Sequence, residues 1–100
     1  MIRHIVMFKL RQFNSEDEKQ AMLQQLKTRI EKLPSKIDFI RSMEVGINLR
    51  NHPSAYDLVL TSTFDNLEDV EKYTVHPAHV DFINFNKDKS IAKSSVDFEI

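Results

Sequence analysis

One hundred residues, 41% hydrophobic and 29% charged, describe one globular domain spanning residues 1–100 and exclude a disordered chain. A net charge of −1, with Lys and Arg scattered along the chain, leaves no footprint for nucleic acid or another polyanion. The absence of cysteine excludes disulfides, thiolate zinc sites and Cys nucleophiles, and with no signal peptide or apolar span the expected compartment is the cytoplasm, away from any membrane.

Residues 2–10 alternate as a strand. Ile2, His4, Val6, Phe8 and Leu10 share one face, and Arg3, Ile5, Met7 and Lys9 the other. Large apolar groups on both faces predict burial on both sides. Ser15 followed by Glu18 is a capping box that opens a helix over about 16–33. Met22, Leu23, Leu26, Ile30 and Leu33 form its apolar stripe, and Pro34 closes it. Period two returns over 37–47, with Ile37, Phe39, Met43 and Val45 opposite Ile40, and Gly46 is read as a bulge or bend. A loop holds Asn48 to Ser54, and residues 56–64 form a third, β-branched and aromatic strand. Asn66 caps a short helix ending near Val75, because Pro77 disfavours helical geometry at His76. Pro77 starts another helix running to about Lys89, with Val80, Phe82, Ile83 and Phe85 inward. Residues 91–99 make a last strand.

The order β-α-β-β-α-α-β is the ferredoxin-like plan: an α+β fold with a four-stranded antiparallel sheet and helices on one face. The other face then lies open. Four strands at ~4.8 Å spacing present roughly 350 Å² there, as large as the biggest patch of a typical monomer. Its burial would contribute on the order of 9 kcal/mol gross per subunit before association costs. The expectation is a homodimer that packs two open faces into an α/β barrel.

Three stretches carry a family likeness: His4-Ile5-Val6-Met7-Phe8-Lys9-Leu10, then Phe64 to Tyr73 running into Val75-His76-Pro77-Ala78-His79-Val80, and finally Val96-Asp97-Phe98-Glu99. In these the chain resembles the stress-responsive α/β-barrel domain family of the dimeric α/β-barrel superfamily. Its members include plant stress-tolerance proteins, a plant polyketide cyclase and many bacterial proteins of unassigned activity. The resemblance implies a pocket lined by His4, Tyr73 and His79. Two further pocket residues of the cyclase have no counterpart: Leu26 stands where it has a Tyr, and Leu58 near its third-strand His.

Within that frame His79 and Tyr73 are the candidates for chemistry. Imidazole exchanges a proton near neutral pH, and a phenol can orient it or donate to an oxyanion. Against this stands a bland role, in which Tyr73 packs and His79 satisfies backbone groups. His4 would point into a dimer cavity if its face lines one, and needs a partner: a Tyr, His79, water or a ligand. His76 is read as a cap of the last helix, and His52 as an exposed loop residue. Asp57 and Asp97 are placed at strand edges or ends. No metal site is expected, since HPxH is not a zinc signature. Some relatives hold a hard cation on backbone carbonyls, near Ile30, Leu33 and Lys36 here, and that would leave no side-chain trace.

Three functions follow. The first is a small-molecule binding protein or acid–base enzyme without a cofactor, its apolar ligand lined by Val6, Phe8, Leu26, Leu58, Phe82 and Ile83. The second is a non-catalytic, stress-associated structural dimer. The third, by superfamily analogy, is a cofactor-free or haem-dependent monooxygenase.

Overall fold

Each main helix begins where a side chain replaces a missing carbonyl. Ser15 Oγ accepts from Glu18 N at 3.1 Å, and Glu16, Asp17 and Glu18 place negative charge at the positive end of α1 (Glu16–Glu31). Asn66 Oδ1 accepts from Asp69 N at 2.8 Å and opens α2 (Leu67–Val75). His76 then turns extended, at φ −65° and ψ 136°, because a helical residue before proline would clash with the ring. Pro77 is the first residue of α3 (Pro77–Asn86), and His76 Nδ1 accepts from Ala78 N at 3.1 Å. The histidine is therefore a true N-cap.

The computed structural model describes residues 1–100. Its strands are β1 (Ile2–Leu10), β2 (Ser42–Ile47), β3 (Leu58–Phe64) and β4 (Ser90–Glu99). They form one antiparallel sheet in the order β2-β3-β1-β4, the ferredoxin-like arrangement. Its helices lie on the face that carries Ile2, His4, Val6, Phe8 and Leu10, all of them buried. On that face β1 meets Leu58, Leu60, Ser62 and Phe64 of β3. Leu23, Leu26 and Ile30 of α1 and Phe82 of α3 pack onto this layer. A second cluster joins Ile2, Leu33, Ile37, Ile40 and Phe64 to Val70 and Tyr73 of α2. Asp57 ties the layers at the edge, accepting from Leu10 N and from Lys19 Nζ of α1, each at 2.8 Å.

The alternate residues of the sheet face away from the helices. Met7, Val96 and Phe98 are exposed there, beside Ile5 and Val59. No helix of the chain is long and apolar enough to cross a membrane.

Four expectations need correction. Residues 37–41 are not strand. After α1 a single 3₁₀ turn covers Leu33–Ser35, and Ile37 N and Ile40 N bond back to Leu33 O and Ile37 O at 2.9 and 3.3 Å. Ile37 and Ile40, expected on opposite faces, thus enter the same cluster through turn spacing. Gly46 forms neither bulge nor left-handed turn; it pairs in register with Val59, and an added Cβ would stand 3.1 Å from Val59 Cγ1. The one register shift in β1 lies at Lys9/Leu10, against β4. Finally, α3 ends at Asn86, and Val80 and Ile83 are 39% and 41% exposed rather than inward.

Candidate functional site

The pairing of the two terminal strands sets the site. β1 and β4 run antiparallel with His4 opposite Asp97, and side chains of paired residues project to the same face. His4 Nδ1 and Asp97 Oδ1 lie 2.5 Å apart. A carboxylate only accepts here, so Nδ1 carries the proton and Nε2 is left as the open ring nitrogen. This is the partner that a buried imidazole requires; Asp97 does lie near the end of an edge strand, as expected, and what sequence reasoning missed is its pairing with His4. The antiparallel pairing of residues 2–10 with 91–99 could have revealed it.

The α2–α3 break supplies the second half. In a continuous helix the Thr74 carbonyl would accept from Ala78 N. His76 Nδ1 takes that N–H instead, so the carbonyl is orphaned. His79 Nδ1 fills the vacancy, donating to Thr74 O at 3.0 Å. The bond fixes the tautomer and leaves His79 Nε2 with its lone pair free. The same break folds the first turn of α3 over the last turn of α2, so the His79 and Tyr73 rings meet with centroids 4.2 Å apart and planes tilted by 41°. Tyr73 also meets His4 edge-on at 5.9 Å and Phe64 at 5.3 Å.

Burial acts on both rings in the same direction, toward neutrality. It lowers the His79 pKa below its ordinary value; the Thr74 carbonyl opposes this, and the charges of Lys93, His4 and His76 reinforce it. It pushes the Tyr73 phenol well above its ordinary range. Tyr73 is 1% exposed, and its hydroxyl has no hydrogen-bond partner in the protein.

His4, Asp97, Tyr73 and His79 border a cleft of about 510 Å³ between the α2–α3 pair and the β1–β4 edge of the sheet. Val6, Phe8, Phe82 and the half-exposed Ile83 line it. Leu26 and Leu58 do not: at 0% and 2% exposure they are core residues of the α1–sheet contact. The direction expected for His4 is also corrected. Its strand face lies beneath the helices, so it points into this cleft and not into a space between two sheets. Sequence reasoning overlooked Asn86, Ser90, Lys93 and Ser95, which also line it. His52 is exposed in its loop, bonded to Ser54.

A lowered His79 pKa has a thermodynamic consequence. Between the folded value and the ordinary value of about 6.5 the unfolded chain binds more protons, so stability falls as pH drops through that window. Urea unfolding at pH 7 and pH 5 should show a smaller acid-side loss for His79→Gln than for the wild type; equal losses would mean that the folded imidazole titrates normally.

The chain is 34% identical over 79 residues to an uncharacterised protein of Streptomyces coelicolor, covering 79% of each. It is 24% identical over 81 residues to olivetolic acid cyclase of Cannabis sativa, covering 81% of this chain and 78% of the cyclase. Among solved structures, a Bacteroides fragilis protein of unknown function, described as dimeric and ferredoxin-like, superposes with a TM-score of 0.88 at 39% identity. That match covers 99% of this chain and 95% of the other. The family model for the stress responsive A/B barrel domain matches residues 2–100, and the chain belongs to that family.

Proposed function

We propose that the chain binds a small, largely apolar carbonyl or phenolic compound in this cleft and moves a proton on it. His79 Nε2 is the base, and the Tyr73 hydroxyl donates to the oxygen on which negative charge develops. His79, protonated at Nε2 by that step, returns the proton to the product, and His4, held by Asp97, offers its Nε2 to the bound compound as an acceptor. The reaction class is enolisation followed by cyclisation or bond cleavage, and the cyclase among the relatives is in keeping with it.

One observation carries the reading. A buried hydroxyl without a partner costs about 1–3 kcal/mol, and phenylalanine would remove that cost while filling the same space. Here the unpartnered hydroxyl belongs to a ring in tilted contact with an imidazole whose proton position is fixed. A ligand oxygen would satisfy it once the side chains that seal the hydroxyl from solvent in the free protein give way on binding.

The working unit in this proposal is a homodimer through the open sheet face. Met7, Val96 and Phe98 stand exposed there, and Arg3 Nε is buried on that side without an acceptor. The Bacteroides relative, described as dimeric, supports a two-chain unit.

Two experiments test these statements. Methyl-proton exchange of 2-acetyl-6-methoxynaphthalene in D₂O, followed by proton NMR, should run about 100-fold or more faster with protein than in buffer. His79→Ala should abolish the gain. Tyr73→Phe should cut it about 100-fold without lowering the melting temperature. Exchange no faster than buffer, or indifferent to His79→Ala, contradicts the proton-transfer role. For the assembly, sedimentation equilibrium should give twice the 11.8 kDa chain mass, falling to one chain for Val96→Asp; a monomeric wild type contradicts the dimer.

A further inference from the structure

The cleft-facing stripe of α3 has a pattern of its own. His79, Phe82, Ile83 and Asn86 all line the cleft and follow the i, i+3, i+4, i+7 spacing of one helix face. A polar group stands at each end and apolar groups lie between. Seven residues of helix separate the ends, about 10 Å along the axis.

Asn86 is not a surface residue that happens to border the space. It is 5% exposed, one of four buried polar side chains. Ser90 Oγ, at the start of β4, donates to Asn86 Oδ1 at 2.8 Å. That bond uses the amide oxygen and fixes which way the group is turned. The amide nitrogen finds no acceptor within the protein, yet it is not sealed from solvent as the Tyr73 hydroxyl is. It therefore offers its N–H groups to the cleft. Lys87 and Lys93 line the same region, neither paired with a carboxylate, as do the carboxylates of Glu71 and Asp97, so the neutral Asn86 amide is the fixed donor at this end of the α3 stripe.

We infer that Asn86, held by Ser90, is a specificity-determining residue that selects ligands with a second hydrogen-bond acceptor about 10 Å from the reacting carbonyl. The inference rests on the cleft being the ligand site, as proposed above. The ligand class becomes more definite: an elongated, flat or unbranched apolar body with an oxygen at each end. One oxygen lies against Tyr73 and His79, the other against the Asn86 amide. A site built to donate a hydrogen bond discriminates against a ligand lacking the acceptor, because the amide would lose its water and gain nothing.

The test compares two ketones of nearly equal size and shape. 2-Acetyl-6-methoxynaphthalene carries an ether acceptor at its far end, and 2-acetyl-6-ethylnaphthalene carries a methylene there. Fluorescence titration of the wild type should show the methoxy compound binding roughly three- to tenfold more tightly. Asn86→Asp keeps the size and an oxygen for Ser90, but replaces the donor with a carboxylate oxygen. It should abolish or invert the preference while the ethyl compound binds as before. Ser90→Ala, which releases the amide, should reduce the preference and serves should Asn86→Asp fail to fold. Equal binding of the two ketones by the wild type, or a preference that survives both substitutions, overturns the role of Asn86 alone. Binding of neither ketone overturns the cleft as ligand site, and this inference with it.

Discussion

An imidazole buried in the central strand of a sheet must be hydrogen-bonded, and much of this molecule is arranged around that requirement. His4 lies on the helix-facing side of β1 between Ile2 and Val6, and Asp97 of β4 satisfies it. A carboxylate cannot itself be sealed under a helix cheaply, so the β4 edge stays partly open to water. The helix face of β4 reads Lys93, Ser95 and Asp97 where that of β1 reads Phe8, Val6 and His4. A dry core on one side of β1 and a polar wall on the other leave a cleft between them, and α2 and α3 roof it.

The second constraint is a proline. Pro77 stops α2 at Val75, and the groups freed by the break are satisfied by two histidines. His76 takes the Ala78 amide and His79 takes the Thr74 carbonyl. One histidine is thereby spent on structure. The other is left with one nitrogen tethered and one free, its ring tilted by 41° against a tyrosine whose hydroxyl has no partner. A local device for ending one helix and starting the next thus also sets a tautomer. The structural and the chemical readings of His79 are compatible: the backbone bond holds the proton on Nδ1 and leaves the outer nitrogen with the free lone pair that the proposed base needs.

Features governed by neighbours in sequence were legible from the start. The Ser15 and Asn66 caps, the break at Pro77, the two-faced first strand and the ferredoxin-like order all rest on local chemistry or strict periodicity. Residues 37–41 misled because Ile37 and Phe39 extend backward the odd-numbered alternation of Met43 and Val45, although they belong to the turn that precedes β2. Gly46 invited a bulge, whereas its missing Cβ serves a side-chain approach from the adjacent strand, visible only once β2 and β3 are in register. Leu26 and Leu58 came into the candidate lining by carry-over from relatives with polar groups there. Leucine at both positions closes that side of the space into core. Asp97 and Asn86 escaped notice for opposite reasons: one needs a partner 93 residues away, the other one only four residues on. For Asn86 the i, i+3, i+4, i+7 spacing from His79 was already present in the chain.

The account stands or falls on the protonation pattern of the imidazoles. Long-range ¹H–¹⁵N correlation spectra of histidine-labelled protein at pH 7 read that pattern directly. The account predicts a neutral His79 with its proton on Nδ1 and a bare Nε2, whose resonance moves when 2-acetyl-6-methoxynaphthalene is added. A His79 protonated on both nitrogens, or carrying its single proton on Nε2, would leave the cleft without its base and contradict the account.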